Sequence, residues 1–216
     1  MRTSGAFLFT LPVLLLFAAA GPALSAASVY EIRAGGEGNL VLFRSKAPLE
    51  TIEGTTRSVS GRIEADLENL GDSATFVVEV DLASIDTGID LRNRHMRENH
   101  LHTDRFPAAI FRGGSIRGAP PAAIPPGGKA SFTLAGEFTL HGVTRPLVVP
   151  IEIARSRSDS LTIQASFDVL LSDFQIPRPE FLVMRLDEKQ RLEIRLAAAP
   201  AGAAPAAAPA GTEEVR

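Results

Sequence analysis

Three of the four histidines, His95, His100 and His102, fall within eight residues of chain. With Glu98 and Asp104 beside them, they offer the donor types of a metal site, and a metal-dependent enzyme built on His95–His102 is one reading of the stretch. The spacing departs from the HExxH pattern, in which two ligands sit at i and i+4 on one helix face. His95 and Glu98 share a face, whereas His100 and His102 fall near or past the end of the helical stretch. A solvated polar helix running into a loop accounts for the same residues, and the spacing favours it. No metal ligand is assigned.

Other chemistry is sparse. The chain has no cysteine, which excludes disulfides, thiolate nucleophiles, Cys-ligated zinc, iron–sulfur clusters and an acylated lipoprotein anchor. There is no Gly-x-Ser-x-Gly elbow, and Ser84, Ser115 and Ser172 stand in turn-like contexts without a nearby histidine. The carboxylates Asp66, Glu68, Asp86 and Asp90 sit in or beside loops, where solvation explains them better than paired acid–base work. Gly35-Gly36-Glu37-Gly38 reads as a turn between strands, not a phosphate cradle. No catalytic residue and no cofactor are assigned, and the chain is expected not to be an enzyme.

Charge narrows the partners. Lys+Arg 22 against Asp+Glu 25 gives −3, and no basic stretch is present to neutralise phosphates, so nucleic acid is not an expected partner. At 216 residues, 45% hydrophobic and 22% charged, the chain can bury a core without staples.

Both ends differ from the middle. Residues 1–27 place Arg2 before an apolar run from Ala6 to Ala20, then Gly21-Pro22 and the small residues Ser25, Ala26 and Ala27. That is the layout of a secretory signal peptide, and Pro12 and the run's length speak against a permanent span. Cleavage after one of residues 25–27 removes one positive charge, taking −3 to −4, and predicts a periplasmic or secreted mature protein. From Ala197 to Arg216, ten of 20 residues are alanine, with Pro200, Pro205 and Pro209 interrupting any helix. This stretch is predicted to be a disordered tail. The folded body is then residues 28–196, and the Pro-rich stretch 119–128 is a long loop inside it.

Within the body the apolar period is two. Phe132, Leu134, Phe138 and Leu140 alternate with Thr133, Glu137 and Thr139; Val59, Ile63 and Ala65 alternate with Ser60, Arg62 and Glu64. Phe76, Val78 and Val80 form another set, as do Leu147 to Ile153, Leu161 to Val169 and Leu192 to Leu196. Weaker strands are Val29–Arg33, Leu40–Ser45 and Ala108–Arg112. Only Asp90 to His100 reads as a helix, short and polar, a surface element or lid. One helix cannot build a βαβ series, so an all-β antiparallel barrel of about eight strands with one short helix is predicted. A barrel of that size is filled by side chains or holds one small ligand.

Two blocks carry a family resemblance. The first runs from Ile85-Asp86-Thr87-Gly88 through Arg92-Asn93-Arg94-His95-Met96-Arg97 to Phe106-Pro107-Ala108-Ala109-Ile110-Phe111. The second is Gly136-Glu137-Phe138-Thr139-Leu140-His141-Gly142-Val143-Thr144-Arg145-Pro146, followed later by Ser172-Asp173-Phe174. Together they resemble the YceI-like, polyisoprenoid-binding family over nearly all of residues 28–196. The chain departs from that pattern at Gln175, where a glycine is expected, at Asn39 to Phe43 and at Leu49 to Gly54.

The resemblance implies a lipocalin-like barrel in the periplasm that encloses an isoprenoid chain, such as a polyprenyl or quinone-like lipid. A polyprenyl tail gains roughly 0.8 kcal/mol per buried CH₂, so no polar code is needed along it. The expected ligand-facing set is Phe76, Val78, Phe132, Leu134, Phe138, Leu140, Val149, Ile151, Ile163 and Phe167, although packed core and cavity lining look alike in sequence. His141 and Arg145 could meet a polar head, or could simply form a turn in which Gly142 supplies the positive φ. Arg92, Arg94 and Arg97 could flank the barrel mouth and attract an anionic headgroup or a membrane surface in transient contact, although ordinary solvation of a helix accounts for them better. A homodimer is compatible with this reading, and a secreted interaction or stress-protection module with a filled interior is the alternative.

Overall fold

Alternating apolar residues can bury one face only by pairing into a sheet, and here the sheet closes on itself. A computed structural model of the protein describes residues 27–203 except 72, 120, 182 and 183. The expected leader (1–27, all but its last residue) and tail beyond 203 lie outside the described residues. The strands are β1 (Ser28–Ile32), β2 (Leu40–Lys46), β3 (Thr51–Thr56), β4 (Val59–Ala65), β5 (Ser73–Asp81), β6 (Ala108–Arg117), β7 (Lys129–Leu140), β8 (Val143–Arg155) and β9 (Leu161–Leu170). Two short strands, β10 (Glu180–Phe181) and β11 (Met184–Arg185), precede β12 (Lys189–Pro200).

All pairings are antiparallel, in the order β1-β4-β5-β6-β7-β8-β9-β12-β2-β3, with β1 also paired to β12. Gln190–Arg195 of β12 pair with β2, and Ala199 and Pro200 pair with β1, so β1 and β2 are two halves of one strand. Their partners β4 and β3 are likewise halves of one strand. Counted this way, eight strands close an antiparallel lipocalin-like barrel. Buried Asn39 bridges the break between β1 and β2: its Nδ2 donates to Arg33 O (2.8 Å) and its Oδ1 accepts from Ala197 N (3.0 Å). Strand β12 continues through Ala197–Pro200, past the Leu196 boundary read from sequence. Small alanines fit there, in register with Leu161 and Thr162, and Ala198 is buried.

One end of the barrel is packed shut. The Pro-rich loop between β6 and β7 drops Ile124, fully buried, into that end, with Ile124 N donating to Leu67 O and Leu70 N to Ala122 O. Arg155 donates to Ile124 O (2.9 Å), Glu68 and Asp159, and Tyr30 adds its hydroxyl to Asp159. The other end is covered by α1 (Asp90–His95), which runs into a π-helical turn at Met96–Leu101, and by a 3₁₀ turn at Ser172–Phe174.

Among the described residues the ladder has a seam between β8 and β9, and the outer edge of β3 is also open except for the bridge from Thr55 to Asp86. Strand β8 pairs with β7 from Val143 through Ala154, but with β9 only from Ile151 through Arg155. Pro146 and Pro150 stand four residues apart, on the same hydrogen-bonding edge, and neither can donate. Since the β7 side is fully paired, the edge they disable faces β9.

Candidate functional site

The open half of the barrel holds a cavity of about 570 Å³. Its walls are apolar: Val41 and Phe43 of β2, Ile52 of β3, Phe138 and Leu140 of β7, Phe167 and Val169 of β9, and Leu192 and Ile194 of β12. Ile89, Leu91, Met96 and Leu101 close over it from the helical segment. The polar lining residues are Glu50, Thr87, Arg92, His95, His100 and Gln190.

The helical segment is held by a polar knot. Buried Asn93 accepts from Thr87 N (2.8 Å) and Thr87 Oγ1 (2.6 Å), and donates to Asp86 Oδ1 (2.7 Å). The Gly88 N–H and the Asn93 amide both donate to the Asp86 carboxylate and hold it below the usual carboxylate range. Arg92 donates to Thr87 O (2.8 Å) and Thr87 Oγ1 (3.0 Å), and its guanidinium also stands 4.0 Å from the Glu50 carboxylate. His100 donates from Nδ1 to Pro177 O (2.9 Å), and burial pushes its imidazole below the ordinary histidine value despite that bond.

His141 and Gly142 form the two-residue β7–β8 turn with φ of 52° and 75°, the left-handed pair that a type I′ hairpin needs. A Cβ at Gly142 would also stand 2.5 Å from the Phe106 ring, which packs edge-on against His141. His141 Nδ1 lies 3.1 Å from Phe174 O; a carbonyl only accepts, so Nδ1 carries the hydrogen. Its Nε2 then accepts from His102 Nδ1 at 2.8 Å. Arg145 Nε donates to Asp173 O (3.0 Å). Both residues considered for a polar head thus tether the Ser172–Phe174 turn.

Of the expected ligand-facing set, Phe138, Leu140 and Phe167 line the cavity together. Phe76, Phe132, Leu134, Val149, Ile151 and Ile163 are buried in the barrel core outside that lining, and Val78 is half-buried against the core. Sequence reasoning missed the walls from β2, β3 and β12 and the helical roof. The Val41–Phe43 and Leu192–Ile194 alternation was a signal for inward faces, but not for the end of the barrel they occupy. His95 faces the cavity, His100 bonds a backbone carbonyl and His102 bonds His141. Among the described residues no three His, Asp or Glu side chains gather where they could hold an ion.

Comparison with known proteins gives a consistent picture. The family model of the YceI-like domain matches residues 35–198. A UPF0312 protein of Vibrio parahaemolyticus is 26% identical over 132 residues, 58% of this chain and 65% of that protein's length. The matched region thus spans slightly under two thirds of that relative. The crystal structure of BcnA from Burkholderia cenocepacia superposes with a TM-score of 0.62 at 19% identity, covering 74% of this chain and 96% of that one. A polyisoprenoid binding domain from Saccharophagus degradans superposes with a TM-score of 0.58 at 15% identity, over 81% of this chain and 99% of that domain.

Proposed function

The chain belongs to the YceI-like domain family, and on that premise we propose that it is a secreted, periplasmic binding protein that holds an isoprenoid (polyprenyl or quinone-like) or another long apolar lipid in its barrel cavity. The cavity carries this reading. Its 570 Å³ falls within the roughly 300–1,000 Å³ of small-molecule sites. Its walls offer apolar contact along their length, and its polar groups gather on the helical segment, on Glu50 and on Gln190. One structural neighbour is described as a polyisoprenoid binding domain, and that ligand chemistry suits such walls. The site is read as binding and not catalytic, because Arg92, His100 and Gln190 each donate to backbone carbonyls of this chain.

Residues 1–27 serve as the export signal in this reading. Transfer takes place in transient contact with a membrane surface. Ile89 and Leu91 of the cavity roof are 51% and 57% exposed, and Leu49, next to Glu50 at the mouth, is 85% exposed. Exposed apolar side chains around an apolar cavity suit a lipid surface.

Retinol, an uncharged fluorescent isoprenoid alcohol, tests the proposal. Saturable one-site binding to the mature protein is expected. Leu192→Trp, which fills the cavity, should weaken it strongly, while Val148→Ser on the outer face should leave it unchanged. No saturable binding, or equal binding to Leu192→Trp, would rule the reading out.

A further inference from the structure

We propose that the cavity is a chain-length ruler: it takes an isoprenoid of about five units or fewer, and the Phe111 ring, lying across Gly113 and Gly136, is the stop that sets this limit. The proposal rests on the reading of the cavity as an apolar-ligand site.

Volume sets the limit. Apolar groups in a protein interior pack at a density of ~0.74, at which one five-carbon isoprene unit occupies about 115 Å³. The cavity of about 570 Å³ under the helical roof therefore admits about five such units. A longer chain must leave its remaining units at the mouth, in water, once the protein has parted from a membrane. Each unit left there lowers occupancy by on the order of tenfold or more, because its apolar surface stays hydrated.

The stop is built on β6 and β7. Ala109 of β6 borders the cavity, and Phe111 is the next residue on the same face. Phe111 pairs with Val78 on one side and with cavity-lining Phe138 on the other, so its side chain points into the barrel with theirs. Its ring runs away from the mouth, over Gly113 and Gly136, which pair with each other. A Cβ would stand 2.6 Å from the ring at Gly113 and 2.8 Å from it at Gly136, so the ring requires both positions to be bare. Between Phe138 and Leu134, β7 sends no side chain inward, and the Phe111 ring occupies the layer left empty. Leu134, Ile163 and Leu196 are buried outside the cavity lining.

The chain has no other way out. On the β2 side, buried Asn39 stands two residues before Val41, the deepest lining residue of that strand. Its amide bonds to Arg33 O, Val59 O and Ala197 N, so it cannot move aside without opening the break between β1 and β2. Towards the seam, Phe138 meets both Phe167 (6.2 Å) and Phe174 (5.5 Å) edge-on, and among the described residues none of β8 borders the cavity. A chain longer than the cavity backs out at the mouth.

The test reads length and carriage separately. Phosphatidylcholine vesicles carrying equal amounts of prenols of four, five, six and nine isoprene units are incubated with the mature protein. The protein is then separated from the vesicles and its bound prenols are measured by mass spectrometry. Four and five units should dominate, with six units roughly tenfold lower and nine units at least about a hundredfold lower. Phe111→Ala frees about 100 Å³, close to one unit, and should raise the six-unit share roughly tenfold. Val41→Trp takes up about 90 Å³ at the deep end of the lining and should lower the five-unit share by a similar factor. Circular dichroism checks that each variant is folded, and the wild-type series decides the limit even where a variant is not. A nine-unit prenol bound as well as the five-unit one, or an unchanged distribution in either folded variant, overturns the ruler. Uptake of no prenol of any length would instead overturn the carrier reading on which the ruler rests.

Discussion

His100 donates its Nδ1 proton to Pro177 O from a site where burial disfavours the imidazolium, so its folded value lies below the ordinary 6.5. The sign follows from linkage. Between the depressed folded value and 6.5 the unfolded chain binds more protons than the native one, so stability is full above about 6.5, falls as pH drops through that range and levels off below the folded value. Thermal denaturation from pH 8 to pH 5 should show that loss in the wild type and a reduced loss in His100→Gln; an identical pH dependence in the two would refute the assignment. At this scale sequence reading reached residue types but not partners. His141 was legible as a turn residue because Gly142 follows it. Its bonds to His102 and to Phe174 O join positions 39 and 33 residues apart, which no local pattern encodes.

At the scale of elements, the Leu171–Ile176 turn explains a departure visible in sequence. Gln175, standing where the family pattern has glycine, adopts φ 54°, the left-handed region. Gln175→Gly should therefore relieve backbone strain and raise the free energy of unfolding by about 0.5–1 kcal/mol, after allowing for the added freedom of the unfolded chain. Denaturant titration measures this, and an unchanged or lower midpoint would contradict it. The long strands were readable because β4, β5, β7, β8, β9 and β12 alternate cleanly. Strand β3 was not, because its inward positions are Ile52, Gly54 and Thr56, with a single large apolar residue among them. The Phe43 ring covers Gly54, so that face is completed by a neighbouring strand. The pairs β10 and β11 are too short to show a period. The seam was written in Pro146 and Pro150, but it means something only once β7 is known to occupy the other edge of β8.

At the scale of the molecule, the barrel is asymmetric along its axis, and that asymmetry makes the site. Ile124, from a distant Pro-rich loop, and the Tyr30–Asp159–Arg155–Glu68 cluster fill one end; a short helical roof leaves space under the other. Inward positions recur with the same period of two along the whole length of a strand, so alternation predicts a barrel interior without saying which half is packed. For that reason Phe132 and Leu134 lie in the packed core, while Leu140, on the same face, borders the cavity. The central claim is that this half carries an apolar lipid. Native mass spectrometry of the mature protein, purified from a periplasmic extract without detergent, tests it most directly. The account predicts an adduct of several hundred daltons, on the order of a lipid that such a cavity accommodates, released by organic solvent and absent from Leu192→Trp. A bare protein mass that stays bare after incubation with a total lipid extract would contradict it.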